Sequence, residues 1–166
     1  MKYLRGIAGF LALMFIATSA HAIAMSNYWE NKLVDELFRA TPYSVPATLY
    51  VGLSTAACSD TGVGTEVTGG SYARVAVVSA TTAWNGTHGT ATGASSGTNG
   101  TVSNVGVITF PAPTASWGVV THFFVSDAAS AGNILFCSAL TVSKTINNGD
   151  SAPSFAAGSL TFQIDN

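Results

Sequence analysis

The side chains that could carry out catalysis are few and far apart in this chain. Residues 93–97 read Gly-Ala-Ser-Ser-Gly, which matches the G-x-S-x-G pattern of a hydrolase whose nucleophile, here Ser95, follows a buried strand and precedes a helix. Neither element is predicted around Ser95, and a tract of Gly, Ser and Thr produces this match by chance. His122 and Asp127 could supply a base and its orienting acid, but His122 lies in an apolar strand pattern that favours a structural histidine. We therefore expect no catalytic residue and no enzymatic activity.

Ligands for a metal ion or another cofactor are equally sparse. His21 lies in a segment predicted to be removed, and His88 stands alone in the Gly/Ser/Thr tract. Asp60 and Glu66 are close in sequence but lack the regular oxygen-ligand spacing of a calcium loop. A solvated turn is therefore preferred there over a weak calcium site, and no cofactor is predicted.

Two tryptophans are candidate ligand contacts. Trp84 and Trp117 each stand close to a glycine, and aromatic faces pack well against sugar rings. The alternative for both is an anchor in the core or in a loop.

The two cysteines have two possible states. Cys58 lies in a turn-rich stretch and Cys137 in an apolar strand pattern. They could form a disulfide if the protein is exported, or remain free thiols, and the sequence leaves both open.

The first 22 residues resemble a secretory leader. Lys2 and Arg5 precede an apolar run over 7–17, and residues 20–22 read Ala-His-Ala, the small-x-small pattern of a signal-peptidase site. An uncleaved amphipathic or membrane anchor is the alternative, although the run is shorter than the about 20 residues that span a bilayer. A functional leader predicts export to the periplasm or the extracellular space. Met25 could instead be a second translation start, and a chain that begins there would have no leader.

The composition limits the partners. Charged residues form 8 % of the chain, against roughly 25 % in typical soluble domains. With a formal net charge of −2 and scattered cations, the chain offers no basic stripe, which excludes nucleic-acid binding. A surface covered by hydroxyls and small side chains suits a module that is packed into an assembly or exposed outside the cell.

One helix is predicted to begin near Asn27. Asn27 can cap it, Glu30 stands at the third helical position as in a capping box, and Pro42 ends the helical pattern beyond Arg39. Asp35 and Arg39 form an i,i+4 pair on its polar side.

The helix carries an apolar stripe that must be covered. Trp29, Leu33 and Leu37 recur every four residues, with Val34 alongside. Since a helix of about 12 residues is marginal alone, the stripe should dock on the sheet or on a neighbouring subunit. Trp29, Leu33 and Leu37 are therefore candidate assembly contacts.

From residue 47 onward the pattern is β-prone runs separated by turn residues, which predicts an all-β chain folded as an antiparallel β-sandwich, immunoglobulin-like or jelly-roll-like, with one short N-terminal α-helix. The domain plan is a leader at 1–22, the helix and linker at 23–46, and the sandwich at 47–166. The predicted strands are 48–54, 72–78, 105–110, 119–126, 133–140 and 160–164, with weaker ones at 82–84 and 142–145. Residues 85–104, almost wholly Gly, Ser, Thr, Ala and Asn, predict a long mobile loop or an insertion ordered by a partner.

Several strings resemble one family. They include Ser-Asn-Tyr-Trp-Glu-Asn-Lys-Leu at 26–33, Pro-Ala-Thr-Leu-Tyr-Val-Gly-Leu at 46–53, Gly-Gly-Ser-Tyr-Ala-Arg at 69–74, Phe-Pro-Ala-Pro at 110–113 and Gly-Ser-Leu-Thr-Phe at 158–162. They are similar to the tail fibre or virion structural proteins of tailed bacteriophages, and the resemblance runs from about residue 25 to 166. Such proteins normally begin near the position of Met25, so the leader is a departure from the family.

The resemblance implies a virion structural protein, a tail fibre or tail-tip component that mediates assembly or host-surface contact. Its partners would be further copies of the chain or other virion proteins, with a host-surface glycan as a further candidate and with membrane contact only through an uncleaved leader. In this setting Arg74 is expected to be structural and to pair with an acid such as Glu66. The alternatives are an exported bacterial surface or carbohydrate-binding module and a capsid decoration protein.

Overall fold

The computed structural model describes residues 14–15, 24–86, 95 and 100–164. Within them the chain is mostly β-strand with one helix, as the sequence predicts. The elements are β1 (Met14–Phe15), β2 (Ala24–Met25), α1 (Asn27–Phe38), β3 (Thr48–Ser54), β4 (Val75–Val78), β5 (Trp84–Asn85), β6 (Thr101–Asn104), β7 (Ile108–Thr109), β8 (Gly118–Ser126), β9 (Ile134–Ile146), β10 (Ser154–Phe155) and β11 (Thr161–Gln163).

The largest sheet has five antiparallel strands in the order β2-β9-β8-β3-β4. Strand alternation sets its two faces: Val51 and Leu53 of β3 are fully buried, and Leu53 pairs with Phe123 of β8. The neighbouring residues Gly52 and Phe124 pair on the opposite face.

Two smaller sheets, β11-β6-β5 and β1-β10-β7, form the opposing layer. Phe123 of the large sheet contacts Phe155 of β10 at 5.6 Å and Phe162 of β11 at 6.0 Å between ring centroids. Phe155 also contacts Phe110, at 6.2 Å. Edge-to-face aromatic packing thus joins all three sheets into one core, and the predicted β-sandwich is confirmed.

The strand boundaries differ in part from the sequence prediction. The strand at 48–54 is confirmed, whereas 133–140 and 142–145 belong to one strand, β9. The strand predicted at 72–78 begins only at Val75, because Gly69, Gly70 and Ser71 all have positive φ and form a turn. The strand predicted at 105–110 is reduced to Ile108–Thr109. The loop predicted at 85–104 loses both ends to β5 and β6, and its segments 87–94 and 96–99 lie outside the described residues.

The helix cap is also corrected. Ser26, not Asn27, is the N-cap: its Oγ accepts from the backbone N–H of Trp29 at 3.2 Å and itself donates to the carbonyl of Ile134. Trp29 therefore occupies the third helical position, and the predicted capping box with Glu30 is wrong. The cap also ties the start of α1 to β9.

The predicted leader lies mostly outside the described residues. Within it, Met14–Phe15 pair in parallel with Ser154–Phe155 as β1. In the part of the chain that the structure describes, no helix has the length and apolarity needed to cross a bilayer.

The two cysteines form a disulfide, which resolves the alternatives that the sequence left open. Cys58, in the loop between β3 and β4, is bonded to Cys137 of β9, with 6.2 Å between the Cα atoms. In the same region Ala24 of β2 pairs with Cys137, and the backbone N–H of Asn27 donates to the carbonyl of Asp60 at 3.0 Å. Strand β2, the start of α1 and the loop that carries Cys58 therefore meet at β9.

Candidate functional site

Arg74 is the centre of a polar cluster on the face of the large sheet opposite the aromatic core. Its guanidinium binds both carboxylate oxygens of Glu66 at 2.8 Å, which confirms the predicted pair. Nη1 donates to Ser126 Oγ at 2.9 Å and to the carbonyls of Ala128 and Ala131 at 2.8 Å. With its side chain only 4 % exposed, Arg74 holds the β8–β9 turn against the loop that carries Glu66.

The surroundings of Arg74 are fixed by packing as well as by charge. Its guanidinium lies 4.9 Å from the ring centroid of Phe124, which is fully buried. The ring of Phe124 covers Gly52, where an added Cβ would overlap the ring atoms, so only glycine fits at position 52. Glu66 also accepts from the hydroxyl of Tyr72 at 3.1 Å. Burial raises the pKa of Tyr72, and the hydrogen bond to Glu66 raises the pKa of Arg74. Every polar group of this cluster is engaged in structure, so it is a scaffold rather than a reactive site.

His122 lies at a separate cavity of about 370 Å³. Asp60 and the Cys58–Cys137 disulfide line the same cavity. The Nδ1 atom of His122 is 2.8 Å from Thr121 Oγ1, and partial burial lowers the pKa of His122. The imidazole of His122 is thus hydrogen-bonded to its strand neighbour at the wall of this cavity.

The residues of the hydrolase hypothesis are not brought together. Ser95 lies beside Gly86 at a different cavity from His122. Asp127 accepts from the backbone and side-chain N–H groups of Asn133, both at 2.7 Å, and closes the β8–β9 turn. The candidate nucleophile Ser95, the candidate base His122 and the candidate acid Asp127 thus lie in three separate local environments.

The side chains that could bind a metal ion are likewise far apart. Glu66 is bound to Arg74, whereas Asp60 lines the His122 cavity, so the two carboxylates of the weak calcium candidate face different partners. Among the described residues no cluster of three or more His, Cys, Asp or Glu side chains could hold a metal ion. His21 and His88 lie outside the described residues.

Trp84 borders a cavity of about 420 Å³ between the large sheet and β11-β6-β5, which we call the Trp84 cavity. The indole N–H of Trp84 donates to the carbonyl of Val78 at 3.1 Å, and its ring meets the edge of Phe162 at 5.7 Å. The cavity is otherwise lined by Leu49, Ser79, Ala80, Thr81, Gly86, Ser95, Val102, Val125 and Phe136. No charged side chain is among these residues.

Trp117 has a different role. It is 5 % exposed, its indole N–H donates to the carbonyl of Gly70 at 2.9 Å, and its ring meets Tyr72 at 5.3 Å. Buried in this way, Trp117 offers no face to a sugar, and the alternative of a core anchor describes its place in the structure.

The apolar stripe of α1 is only partly covered. Trp29 packs against Tyr43 at 5.1 Å and Phe136 at 6.3 Å, and Leu33 lies on the same side. Leu37, in contrast, is 72 % exposed, and Phe38, which the sequence pattern did not single out, is 81 % exposed. The helix therefore docks through its first half and ends in a free apolar tip, defined here as Leu37 and Phe38.

The contact between α1 and the sheet also buries a polar group that lacks a hydrogen bond. The indole N–H of Trp29 is buried without a hydrogen-bond partner among the described residues, which costs about 1–3 kcal/mol. Burial raises the pKa of Tyr43, which packs on Trp29, to about 12.

The comparison with known families decides the class of this scaffold. A family model described as podophage GP4 fiber I protein gp80 matches residues 24–163. The chain belongs to this family. No curated protein matches the chain. As a member of a phage fibre family it is a structural component of a virion, and the resemblance to tailed-phage fibre proteins is confirmed.

Sequence reasoning missed Asn104, which shapes this fibre-family fold. Asn104 is 1 % exposed; its amide N–H groups donate to the carbonyls of Gly106 and Ala156, and its Oδ1 accepts from the backbone N–H of Leu160. These contacts hold β6 and β11 in place beside the Trp84 cavity. Their partners are up to 56 residues away along the chain, so no local pattern could reveal them.

Proposed function

We propose that this chain is a non-enzymatic fibre subunit that is built into the phage tail by association with further copies or with other virion proteins. Its family and its sandwich fold support a structural role. The observation that carries the assembly role is the free apolar tip of α1, where Leu37 and Phe38 are largely exposed on a chain of low charge. Such surface is covered in an assembled protein.

The proposal of a non-enzymatic role follows from the placement of the reactive side chains. Ser95, His122 and Asp127 have separate partners in the described structure, and Arg74 and Glu66 satisfy each other. Assays with ester and glycoside substrates should therefore show no turnover. Hydrolysis that Ser95→Ala abolishes would overturn this part of the proposal.

Self-association is tested by light scattering on the purified full chain over a range of concentrations. We expect an oligomer with the same number of subunits whether or not the leader is present. A chain that stays monomeric at high concentration would contradict association with copies. Mass spectrometry of purified phage particles provides the second test, since peptides of the chain must be present in them.

Host-surface contact is a second candidate function, which Trp84 favours. A neutral glycan could stack on this residue and use the hydroxyls of Ser79, Thr81 and Ser95. Binding on a glycan array that Trp84→Ala removes would support it. The lining of the cavity nevertheless favours an apolar occupant, because it is largely aliphatic and aromatic.

A further inference from the structure

A protruding apolar tip and an open apolar cavity lie on different parts of this chain. The tip is Leu37 and Phe38 at the end of α1, and the cavity is the Trp84 cavity of about 420 Å³. We propose that Phe38 of one copy, with Leu37 beside it, inserts into the Trp84 cavity of a second copy. The inference rests on the proposed function, since it names the contact through which subunits associate.

The chemistry of the cavity selects an uncharged apolar occupant. Its walls include the aliphatic side chains of Leu49, Val102 and Val125, and its polar groups are hydroxyls. An anion or an acidic sugar would lose its hydration without gaining a charged partner. A neutral sugar would gain hydroxyls but no amide or carboxylate among the described lining residues. A phenyl ring needs none of these groups, so it matches the lining best.

The size and rigidity of the cavity also fit an inserted side chain. Pockets that enclose small ligands measure about 300–1,000 Å³, so this cavity has room for an aromatic ring and part of its neighbour. Trp84 is held by its hydrogen bond to Val78 and by Phe162, while Asn104 fixes β6 to β11. Because the walls are already in place, an incoming ring requires little reorganisation.

The tip does not occupy the cavity of its own copy. Trp29 at the start of α1 packs on Phe136, which lines the cavity. Phe38 lies nine residues further along, roughly 13–14 Å away at 1.5 Å of rise per residue, and is exposed. Leu37 and Phe38 are therefore left exposed and are free for a neighbour.

A contact of this kind joins two different surfaces. Each copy then offers a tip to one neighbour and a cavity to another, so the contact either closes into a ring or continues as a filament. Both outcomes suit a member of a fibre family, whereas a contact between identical surfaces would stop at a dimer.

The test uses two variants that each remove one surface. Phe38→Ser removes the tip at an exposed position, and Thr81→Trp fills the mouth of the cavity from its exposed rim. Each variant alone should have a dissociation constant roughly 10- to 100-fold above that of the wild type, measured by analytical ultracentrifugation. An equal mixture should form a one-to-one dimer and nothing larger, since only one intact tip and one intact cavity remain.

Matched controls separate this contact from other effects. Val107→Ser removes an exposed apolar side chain elsewhere and should leave association unchanged. Ser79→Phe is a second filling variant for the case that Thr81→Trp does not fold, with circular dichroism as the check.

The contrary outcomes are distinct. If the wild type is oligomeric but Phe38→Ser and both filling variants behave like it, or if the mixture fails to dimerise, this contact is wrong while the proposed function stands. If the wild type is monomeric at all concentrations, both self-association and this contact fail. Neutral-glycan binding at Trp84 that leaves association intact would assign the cavity to a ligand and overturn the inserted tip.

Discussion

Arg74 concentrates much of the polar stabilisation of the described chain in one side chain. It joins Glu66, Ser126 and two carbonyls of the β8–β9 turn while its guanidinium rests on Phe124. Since Arg is planar and binds in a bidentate manner, Lys cannot reproduce this set of contacts. At this position even the conservative change to Lys should therefore lower stability.

Replacing Arg74 with Met should lower the free energy of unfolding by about 3–5 kcal/mol, because a buried ion pair loses one partner and Glu66 stays behind. Arg74→Lys should have an intermediate effect. Denaturant titration measures both. The control is Arg39→Ala, which breaks the exposed Arg39–Asp35 pair and should cost less than about 1 kcal/mol. Equal effects of Arg74→Met and Arg39→Ala would contradict the central role of Arg74.

His122 makes stability depend on pH. Burial in the fold lowers its pKa from the ordinary value of 6.5, so the unfolded chain binds its proton more readily. Stability from this group is therefore fully present above pH 6.5 and is lost as the pH falls below it towards the folded-state pKa. Comparing wild type with His122→Gln by thermal unfolding between about pH 7 and 5 isolates the contribution, and the variant should show a shallower decline. Parallel pH profiles would mean that burial does not shift this histidine.

At the scale of elements, the disulfide joins the loop after β3 to β9 across 79 residues of sequence. Closing a loop of this length stabilises a fold by roughly 4–5 kcal/mol in the chain-entropy model. Reduction should lower the melting temperature accordingly, and limited proteolysis should then cut first at the loop near Cys58 and at β2. The Cys58→Ser, Cys137→Ser double variant must match the reduced wild type and must not respond to reductant. A melting temperature that reductant leaves unchanged would contradict a stabilising bond.

The strands that the sequence predicts are those with an apolar alternation of their own. Leu49, Val51 and Leu53 alternate with other residues along β3, whose predicted bounds, 48–54, are confirmed. In contrast, β6 reads as part of a Gly/Ser/Thr tract, and β10 has only two residues after a proline. These short strands are held by partners far away in sequence, as Asn104 of β6 is by Ala156 and Leu160, so local propensity carries no signal for them.

The candidate site was less predictable than the fold. The stripe on α1 predicts an apolar face that a partner covers, yet it does not show that Trp29 docks while Phe38 is left exposed. The Trp84 cavity arises from the relative placement of two sheets, and its lining residues span positions 49 to 162. No periodicity within one segment encodes such a placement.

For the whole molecule, removal of residues 1–22 should leave a folded protein. The family match begins at residue 24, and β2 and the Ser26 cap are retained, so the only described element that is lost is β1 beside β10. We expect a change in unfolding free energy within about 1 kcal/mol and an unchanged circular dichroism spectrum. The matched control is a chain without residues 1–26, which loses β2 and the cap and should be clearly less stable. An unfolded 23–166 chain would show that the leader is part of the domain.

The bond between Cys58 and Cys137 also has a consequence for timing. Bacterial cytoplasm keeps most thiols reduced, so a subunit folded there would carry two free thiols until it met oxidising surroundings. The disulfide would then form only after release from the host cell, and the subunit would gain the stability of the closed loop at that point.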